Sequence, residues 1–553
     1  MGHRIFFAAI LFSPVLVAAS LDGYVTDAAG HPIRKAGVTL RGGSPPSAYS
    51  TATDTDGSFA FSELNPGAYT LSVDRAGYIG KQYHTGPQET VSTITLAAGQ
   101  DLKNVNLTLV RAVTISGTVL DEDGDPMAGA PVRLLQRKLS SEPELALERT
   151  SFTDSSGKYV FPDLPPGRHY VSAGPEDGHV LSALGMRANT GPALGRPAEY
   201  YANTWYPGAT DRSGAGAIEA FHEDRAGIDI RLLKTPAFLV SGRVTGAVPA
   251  ELVDQGPGQV VLIPAHHSDT RMNSYAGSRA HVAGDGAFDF RGERFPPGEY
   301  FLIASIASPG KRRLLASRRL TVGADTGDAV LNLEPLIDVH GHVAIEGEAT
   351  ANFGPRPGQP PNVVMQVDLS PAIVPMGPAS LDVRSTIAPD GSFTLSGVAP
   401  GSYEVRTWVN PDKTWMKSMR LGSVEAVQGR IEITEASAAT PLQLTLARSV
   451  GRIAGLVRDD RGNPAGGAVT LFRDPCGPDS AMMMSGVGSD GRLLLSPVAP
   501  GTYRVYAWED IMDAQSYDPD LLKAWESSSV VVTVNENGSE EVTLKRIPSQ
   551  LER

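Results

Sequence analysis

One stretch recurs five times, and it constrains the fold more than anything else in the chain. It first runs Thr55-Asp56-Gly57-Ser58-Phe59-Ala60-Phe61-Ser62-Glu63-Leu64-Asn65-Pro66-Gly67-Ala68-Tyr69. Copies follow at Ser156-Gly157-Lys158-Tyr159 to Pro166-Gly167 and at Asp285-Gly286-Ala287-Phe288 to Pro297-Gly298-Glu299-Tyr300. Two more stand at Asp390-Gly391-Ser392-Phe393 to Pro400-Gly401-Ser402-Tyr403 and at Asp490-Gly491-Arg492-Leu493 to Pro500-Gly501-Thr502-Tyr503. Each copy is a turn, an alternating strand, a second turn and another strand. Asp-Gly supplies the positive φ that a tight hairpin needs. Phe59 and Phe61 alternate with small polar residues, so one face of the strand is apolar. Pro presets φ and Gly accepts the left-handed position at the second turn. The turn glycines at 57, 157, 286, 391 and 491 are spaced by 100, 129, 105 and 100 residues. A repeat of about 100 residues suits a β-sandwich with its own core.

Each unit also opens alike, on Gly-x-Val at Gly23-Tyr24-Val25, Gly117-Thr118-Val119, Gly242-Arg243-Val244, Gly341-His342-Val343 and Gly455-Leu456-Val457. In units 1, 2 and 5 an Asp/Gly/Pro turn follows (Asp27 to Pro32, Asp121 to Pro126, Asp459 to Pro464). Units 3 and 4 carry Gly246 to Gly258 and Gly354 to Pro361 in its place. Alternating segments such as Val105 to Leu109, Ile228 to Leu232 and Leu442 to Leu446 close the units. About seven short strands per unit predict an all-β, tandem array of about five Greek-key antiparallel β-sandwich domains. The expected divisions are 20–110, 111–234 with a long loop at 173–208, 235–335, 336–447 and 448–546, with a tail at 547–553. Joints with almost no linker predict a fairly stiff rod or arc. Ser140 to Leu147 reads as a Glu-rich polar loop with room for one helical turn, and helix is expected to be scarce, mainly in the 173–208 loop and at Pro519 to Trp525.

These motifs resemble the carboxypeptidase regulatory-like domain: the Gly-x-Val opening, the Asp-x-x-Gly-x-Pro turn, the Asp-Gly-x-Phe strand and the Pro-Gly-x-Tyr turn. The resemblance is strongest in units 1 and 5; in unit 2 His169 stands where Tyr is usual, with Tyr170 beside it. It implies a transthyretin-like sandwich, similar in fold to starch-binding modules, in an exported bacterial protein with an accessory role. Fold alone does not give function.

The first residues read as an export signal. His3 and Arg4 precede an apolar run from Ile5 to Val17, and Val17-Ala18-Ala19 offers small residues for cleavage, so residues 1–19 are expected to be removed. No later stretch is long and apolar enough to span a membrane, so no transmembrane segment is expected after signal cleavage. Export points to a periplasmic, outer-surface or extracellular site. The formal net charge of −13 disfavours nucleic acid as a partner. Cys476 is the single cysteine, in a Pro/Gly-flanked loop, so no intramolecular disulfide forms.

No complete catalytic or metal-binding signature stands in the sequence. None of the eleven histidines begins His-x-x-Glu, and His222-Glu223-Asp224-Arg225-Ala226 lacks the second His of a zinc protease motif. His340 and His342 face the same way on one strand without a third ligand, and His266-His267 face apart. Asp121-Glu122-Asp123-Gly124-Asp125 begins like a calcium loop, but Pro126 and Val132 occupy the places where Gly and Glu are required. Ser155-Ser156-Gly157-Lys158 matches Ser-x-x-Lys by letter only, on a hairpin turn. No catalytic residue, metal site or cofactor is therefore expected. Aromatics are the remaining lead. Tyr200, Tyr201, Trp205 and Tyr206 cluster in the longest insertion, where exposed rings would offer flat faces to a sugar. Packing of that loop on its own sheet is the plainer reading of the same cluster, and it is weighed above ligand contact. Trp408 and Trp508, each five residues after the repeat's Tyr, read as structural. The chain thus reads as a non-catalytic binding or scaffolding protein of the cell envelope, with a glycan or an envelope protein as partner. The alternatives are a rigid spacer, or an accessory subunit of an exported peptidase or outer-membrane transport system, for which a sheet edge could take a partner strand.

Overall fold

The computed structural model describes residues 18–27, 29–82, 94–138, 144–174, 199–246, 259–264, 278–306, 314–348, 352–353, 365–371, 383–408, 414–427, 429–474, 483–488, 490–509, 511 and 518–548. The signal run up to Val17, most of the 173–208 loop, His266-His267 and Cys476 lie outside them.

The described residues lie mostly in strands. Its buried residues form separate cores, one per repeat: Ala19 to Leu109, Val113 to Leu232, Val240 to Leu333, Ile337 to Leu446 and Ile453 to Leu544. The alternating phenylalanines fill them. Phe59 and Phe61, Tyr159 and Phe161, and Phe288 and Phe290 meet edge to face, with centroids 6.1, 5.7 and 6.2 Å apart.

Each unit has a first sheet, holding the opening, Asp-Gly and closing strands, and a second sheet built around the Pro-Gly-x-Tyr strand. In unit 4, for example, Ile337–Ile345 lies between Ser392–Val398 and Leu442–Ala447, while Gln366–Pro371 and Gly401–Trp408 belong to the other sheet. Unit 3 joins all its strands into one closed barrel, and in unit 5 Ser539–Ile547 pairs with both Gly451–Arg458 and Gly501–Trp508, so its two sheets are continuous. The opening and closing strands run parallel in every unit, as in Val25↔Leu107, Val119↔Ile230, Val244↔Leu331, Val343↔Leu444 and Val457↔Leu544. The expected antiparallel pattern thus has one parallel pair per unit.

The repeat's motifs are one connected device. The Val N–H of each Gly-x-Val donates to the carbonyl of the turn glycine, at 2.8 Å in all five units (Val25 to Gly57, Val119 to Gly157, Val244 to Gly286, Val343 to Gly391, Val457 to Gly491). Those turn glycines have φ between 70 and 88°, which an L side chain strains to adopt. The first glycine of Gly-x-Val is needed for a different reason. A Cβ there would come within 3.0 Å of a closing-strand carbonyl oxygen, that of Val105, Ile228, Ala329, Leu442 or Val542.

The Tyr of Pro-Gly-x-Tyr closes a corner. Its hydroxyl donates to the carbonyl four residues back: Tyr69 to Asn65 (2.6 Å), Tyr300 to Pro296 (2.9 Å), Tyr403 to Ala399 (2.9 Å) and Tyr503 to Ala499 (2.7 Å). His169 makes the same bond in unit 2. Its Nε2 lies 2.9 Å from the Pro165 carbonyl, which can only accept, so Nε2 carries the proton.

One local expectation is corrected. Glu144 to Leu147 is not a polar loop; it begins the strand Glu144–Phe152, because Leu145 is buried on one face. The helix Pro519–Ala524 is present, N-capped by Asp518. The helix expected in the 173–208 loop falls on residues 175–198, outside the described residues; the short 3-10 segment Arg212–Gly214 lies just beyond that loop.

Candidate functional site

The inner faces of the five sandwiches are alike. What differs is the outer face of the second sheet, where alternate residues of the same strands point away from the core.

In unit 1 that face is polar. Thr39 Oγ1 and Ser50 Oγ lie 3.4 Å apart, and Thr70 Oγ1 donates to the Arg41 carbonyl at 3.3 Å. In unit 2 it is apolar and covered by the unit's own chain. Leu135, Leu145, Tyr170 and Trp205 form a buried cluster, with Ala209 and Ala215 packed against it. In unit 3, Val261, Ile263, Phe301 and Ile303 are covered by Leu336 and Ala399 of unit 4. In unit 4 the face is a charged ladder. Arg384 pairs with Asp368 at 3.4 Å, and Glu404 takes Arg430 and Arg406 at 3.2 and 3.3 Å. In unit 5, Phe472, Tyr506, Trp508 and Ile547 are covered by Leu522 of the helix. Trp508 stacks on Tyr506 with centroids 5.4 Å apart and donates its indole N–H to Thr470 Oγ1 at 2.9 Å.

The insertion aromatics belong to this outer architecture. Trp205 is 5% exposed, and the Arg212 guanidinium lies over its ring, 5.9 Å from the centroid. Arg212 is itself fixed by donating to the Leu145 carbonyl. Tyr206 packs, partly buried, against the unit 2 core, as does Tyr201. Tyr201 sits on the strand Glu199–Tyr201, which pairs with Lys234–Pro236 at the exit of unit 2. Its hydroxyl donates to Glu122 Oε2 at 2.8 Å. Burial and this carboxylate push the Tyr201 phenol up to about 12. Glu122 also pairs with Lys234, and that bond, with the one from Tyr201, holds the carboxyl down at about 2. Tyr200 lies on the same strand, its side chain outside the described residues. The structure therefore brings Trp205 into a packed cluster and Tyr201 into a hydrogen-bonded joint, and the two do not share one open platform.

The other residues singled out by motif have local partners. Asp121 Oδ1 accepts the backbone N–H groups of Asp123 and Asp125 at 3.0 and 2.8 Å, an Asx turn. His340 Nδ1 lies 3.1 Å from Thr394 Oγ1, and His342 Nε2 lies 2.9 Å from the Asp390 carbonyl. Among the described residues, no three His, Cys, Asp or Glu side chains are grouped to hold a metal ion. No helix of the described residues is long and apolar enough to cross a membrane. The corner made by Tyr and its His169 substitute was missed from sequence. Its signal was the constant Pro-Gly-x-Tyr spacing.

No curated protein sequence matches the chain. Among solved structures it is similar to the Bacillus anthracis TIE protein, at 13% identity and a TM-score of 0.17, over 58% of this chain and 51% of that one. The match thus spans about half the length of that protein. It is also similar to a streptococcal ancillary pilin (14% identity, TM-score 0.22, 57% of this chain and 99% of that one). A third is BcpA, the major pilin subunit of Bacillus cereus (10% identity, TM-score 0.15, 96% of this chain and 99% of that one). Likenesses at this level carry no functional weight. Sequence-family comparison is more specific: residues 20–110 and 114–193 match the carboxypeptidase regulatory-like domain, two copies in tandem.

Proposed function

We propose that this chain is a non-catalytic scaffold, a tandem array of β-sandwich units that holds partners at fixed separations at the cell envelope or outside it. The observation that carries this reading is how the units are joined. Leu336 alone separates the strands Thr326–Pro335 and Ile337–Ile345, and its side chain is buried on the outer face of unit 3. Between units 1 and 2, Val110–Arg111 pairs with Tyr78–Ile79, and the Ala112 N–H donates to the Gly77 carbonyl at 2.9 Å. Between units 4 and 5, Lys417 bridges Glu346 and Glu536 at 2.7 and 2.8 Å. Packed and hydrogen-bonded joints resist swivelling, where a flexible linker would leave each unit independent. The family match at residues 20–110 and 114–193 supports an accessory role, and the apolar run from Ile5 to Val17 supports export.

Small-angle scattering of the full chain tests this. The expected profile fits a single conformation, and a profile that requires freely swivelling beads overturns the reading. Metal-dependent peptide hydrolysis by the pure protein would also overturn it. Carbohydrate binding has less support, because the Trp205 ring is buried beneath Arg212. Glycan-array binding that disappears in Trp205→Ala would replace the scaffold reading with that one.

A further inference from the structure

A polar contact joins two units that are not neighbours in the chain. Arg137 Nη1 of unit 2 donates to Asp520 Oδ2 of unit 5 at 2.9 Å, across 383 residues of sequence. The Arg168 guanidinium lies 3.6 Å from the same oxygen. Both arginines stand on the outer face of the unit 2 second sheet.

Each side is held by its own unit before the two meet. On unit 2, Arg137 lies over the Tyr170 ring, 5.6 Å from its centroid, and Arg168 Nε donates to Glu219 Oε1 at 3.3 Å. Tyr170 is in turn buried in the cluster with Trp205. On unit 5, the helix Pro519–Ala524 presents Asp520. Asp518 Oδ1 caps it by accepting the N–H of Asp520 at 2.9 Å and of Leu521 at 3.4 Å. Leu522 packs on the sheet beside Trp508, and the Tyr506 hydroxyl donates to the Leu522 carbonyl at 3.2 Å. Two fixed surfaces of opposite charge therefore face each other.

Side-chain exposure is 34% for Arg137, 33% for Arg168 and 42% for Asp520, so water and salt reach the contact. The screening length falls from about 10 Å at 0.1 M salt to about 3 Å at 1 M. The joint between units 3 and 4 is apolar, and salt does not weaken such packing. Ionic strength thus acts on the ionic contacts, this one and the Lys417 bridge between units 4 and 5, and spares the apolar joint; the Asp520 and Arg137 variants at low salt separate the two. We propose that the meeting of Arg137 and Arg168 with Asp520 is a salt-sensitive clasp that closes units 2 to 5 into an arc, and that high ionic strength opens the arc without unfolding its units. The clasp is independent of what the array carries.

The test is a distance measured by pulsed electron spin resonance on the full chain, with Cys476→Ser removing the native thiol. Spin labels go at Val160→Cys in unit 2 and Val531→Cys in unit 5, positions that are 49% and 50% exposed. At low salt the expected result is one narrow distance within a monomer. At about 1 M salt the narrow peak is lost to a broad, longer distribution, while circular dichroism stays unchanged. Asp520→Asn and Arg137→Gln lose the narrow peak at low salt, and Asp520→Glu keeps it. Unlabelled chain added in excess leaves the narrow distance in place. A narrow peak that persists at about 1 M salt overturns the clasp, as does a distribution already broad at low salt. So does a short distance that vanishes on dilution with unlabelled chain, because the contact then joins separate copies. The salt titration leaves the arginines and Asp520 unmutated, so a variant that misfolds does not remove the test.

Discussion

At the residue scale, the five copies keep the side chains that solve a backbone problem and let the rest vary. The turn glycines were legible because a positive φ leaves a mark on residue type. The first glycine of Gly-x-Val was legible as a repeat but not as a contact, since the carbonyl it must clear lies on the far strand of the unit. Gly242→Ala should cost about 1–3 kcal/mol in chemical denaturation, because the new methyl meets the Ala329 carbonyl oxygen. Gly323→Ala has open space around it and should change stability by less than about 0.5 kcal/mol. Tyr403→Phe removes the corner bond to Ala399 and should cost about 1 kcal/mol by the same measurement. Acid should weaken the turns together. Asp56 and Asp390 accept Ser side-chain and backbone bonds, Asp285 a backbone N–H and Asp154 both kinds, which hold their carboxyls below the ordinary 3.8. Their folded values are depressed, so the stability they add is fully present above 3.8 and is lost as pH falls through the lower folded values. The midpoint of thermal unfolding, followed downward from pH 5, should therefore drop below that point.

At the element scale, the strands of the repeat were readable because period-two alternation is local. The strand Glu144–Phe152 was misread because its glutamates outweighed a real alternation, Leu145 and Leu147. Packing of the insertion on its own sheet was one of two readings open for Trp205, and its burial in the outer cluster of unit 2 agrees with that one. Its cover comes from Arg212 and Leu145, and nothing in an aromatic cluster of an insertion distinguishes a ring that faces solvent from one that faces a neighbouring strand. Trp508 was more tractable, since its match in position to Trp408 pointed to structure. It is wholly buried between the unit 5 sheet and the helix Pro519–Ala524. Trp508→Ala should cost about 3–5 kcal/mol in denaturant unfolding of unit 5 and should free the helix to exchange its amide hydrogens.

At the scale of the whole molecule, short joints were visible in the sequence, but which faces they bury was not. The outer face of unit 3 is apolar because Leu336 and Ala399 of unit 4 complete it. Ile263→Asp puts a carboxylate into that contact and leaves the inner core of unit 3 alone. Scattering should then report a longer, more variable particle, with each unit still folded. The opening and closing strands of every unit are parallel neighbours, so the chain enters a unit at one end and leaves at the other. Tension applied between those ends slides the two strands along each other. The hydrogen bonds between them then share the load and must yield together, whereas an antiparallel hairpin pulled at its ends opens one bond at a time. In units 3, 4 and 5 the parallel pairing extends over Val240 to Gly246, Gly341 to Ile345 and Arg452 to Arg458. In unit 2 it is interrupted, with Ile115 bridged to Arg225 and then Val119 and Leu120 paired with Ile230 and Arg231, and in unit 1 it falls into two short stretches, at Ser20 and Leu21 and again at Val25 and Thr26. Pulled from its ends, the array is graded in strength, and units 1 and 2 are where it gives first.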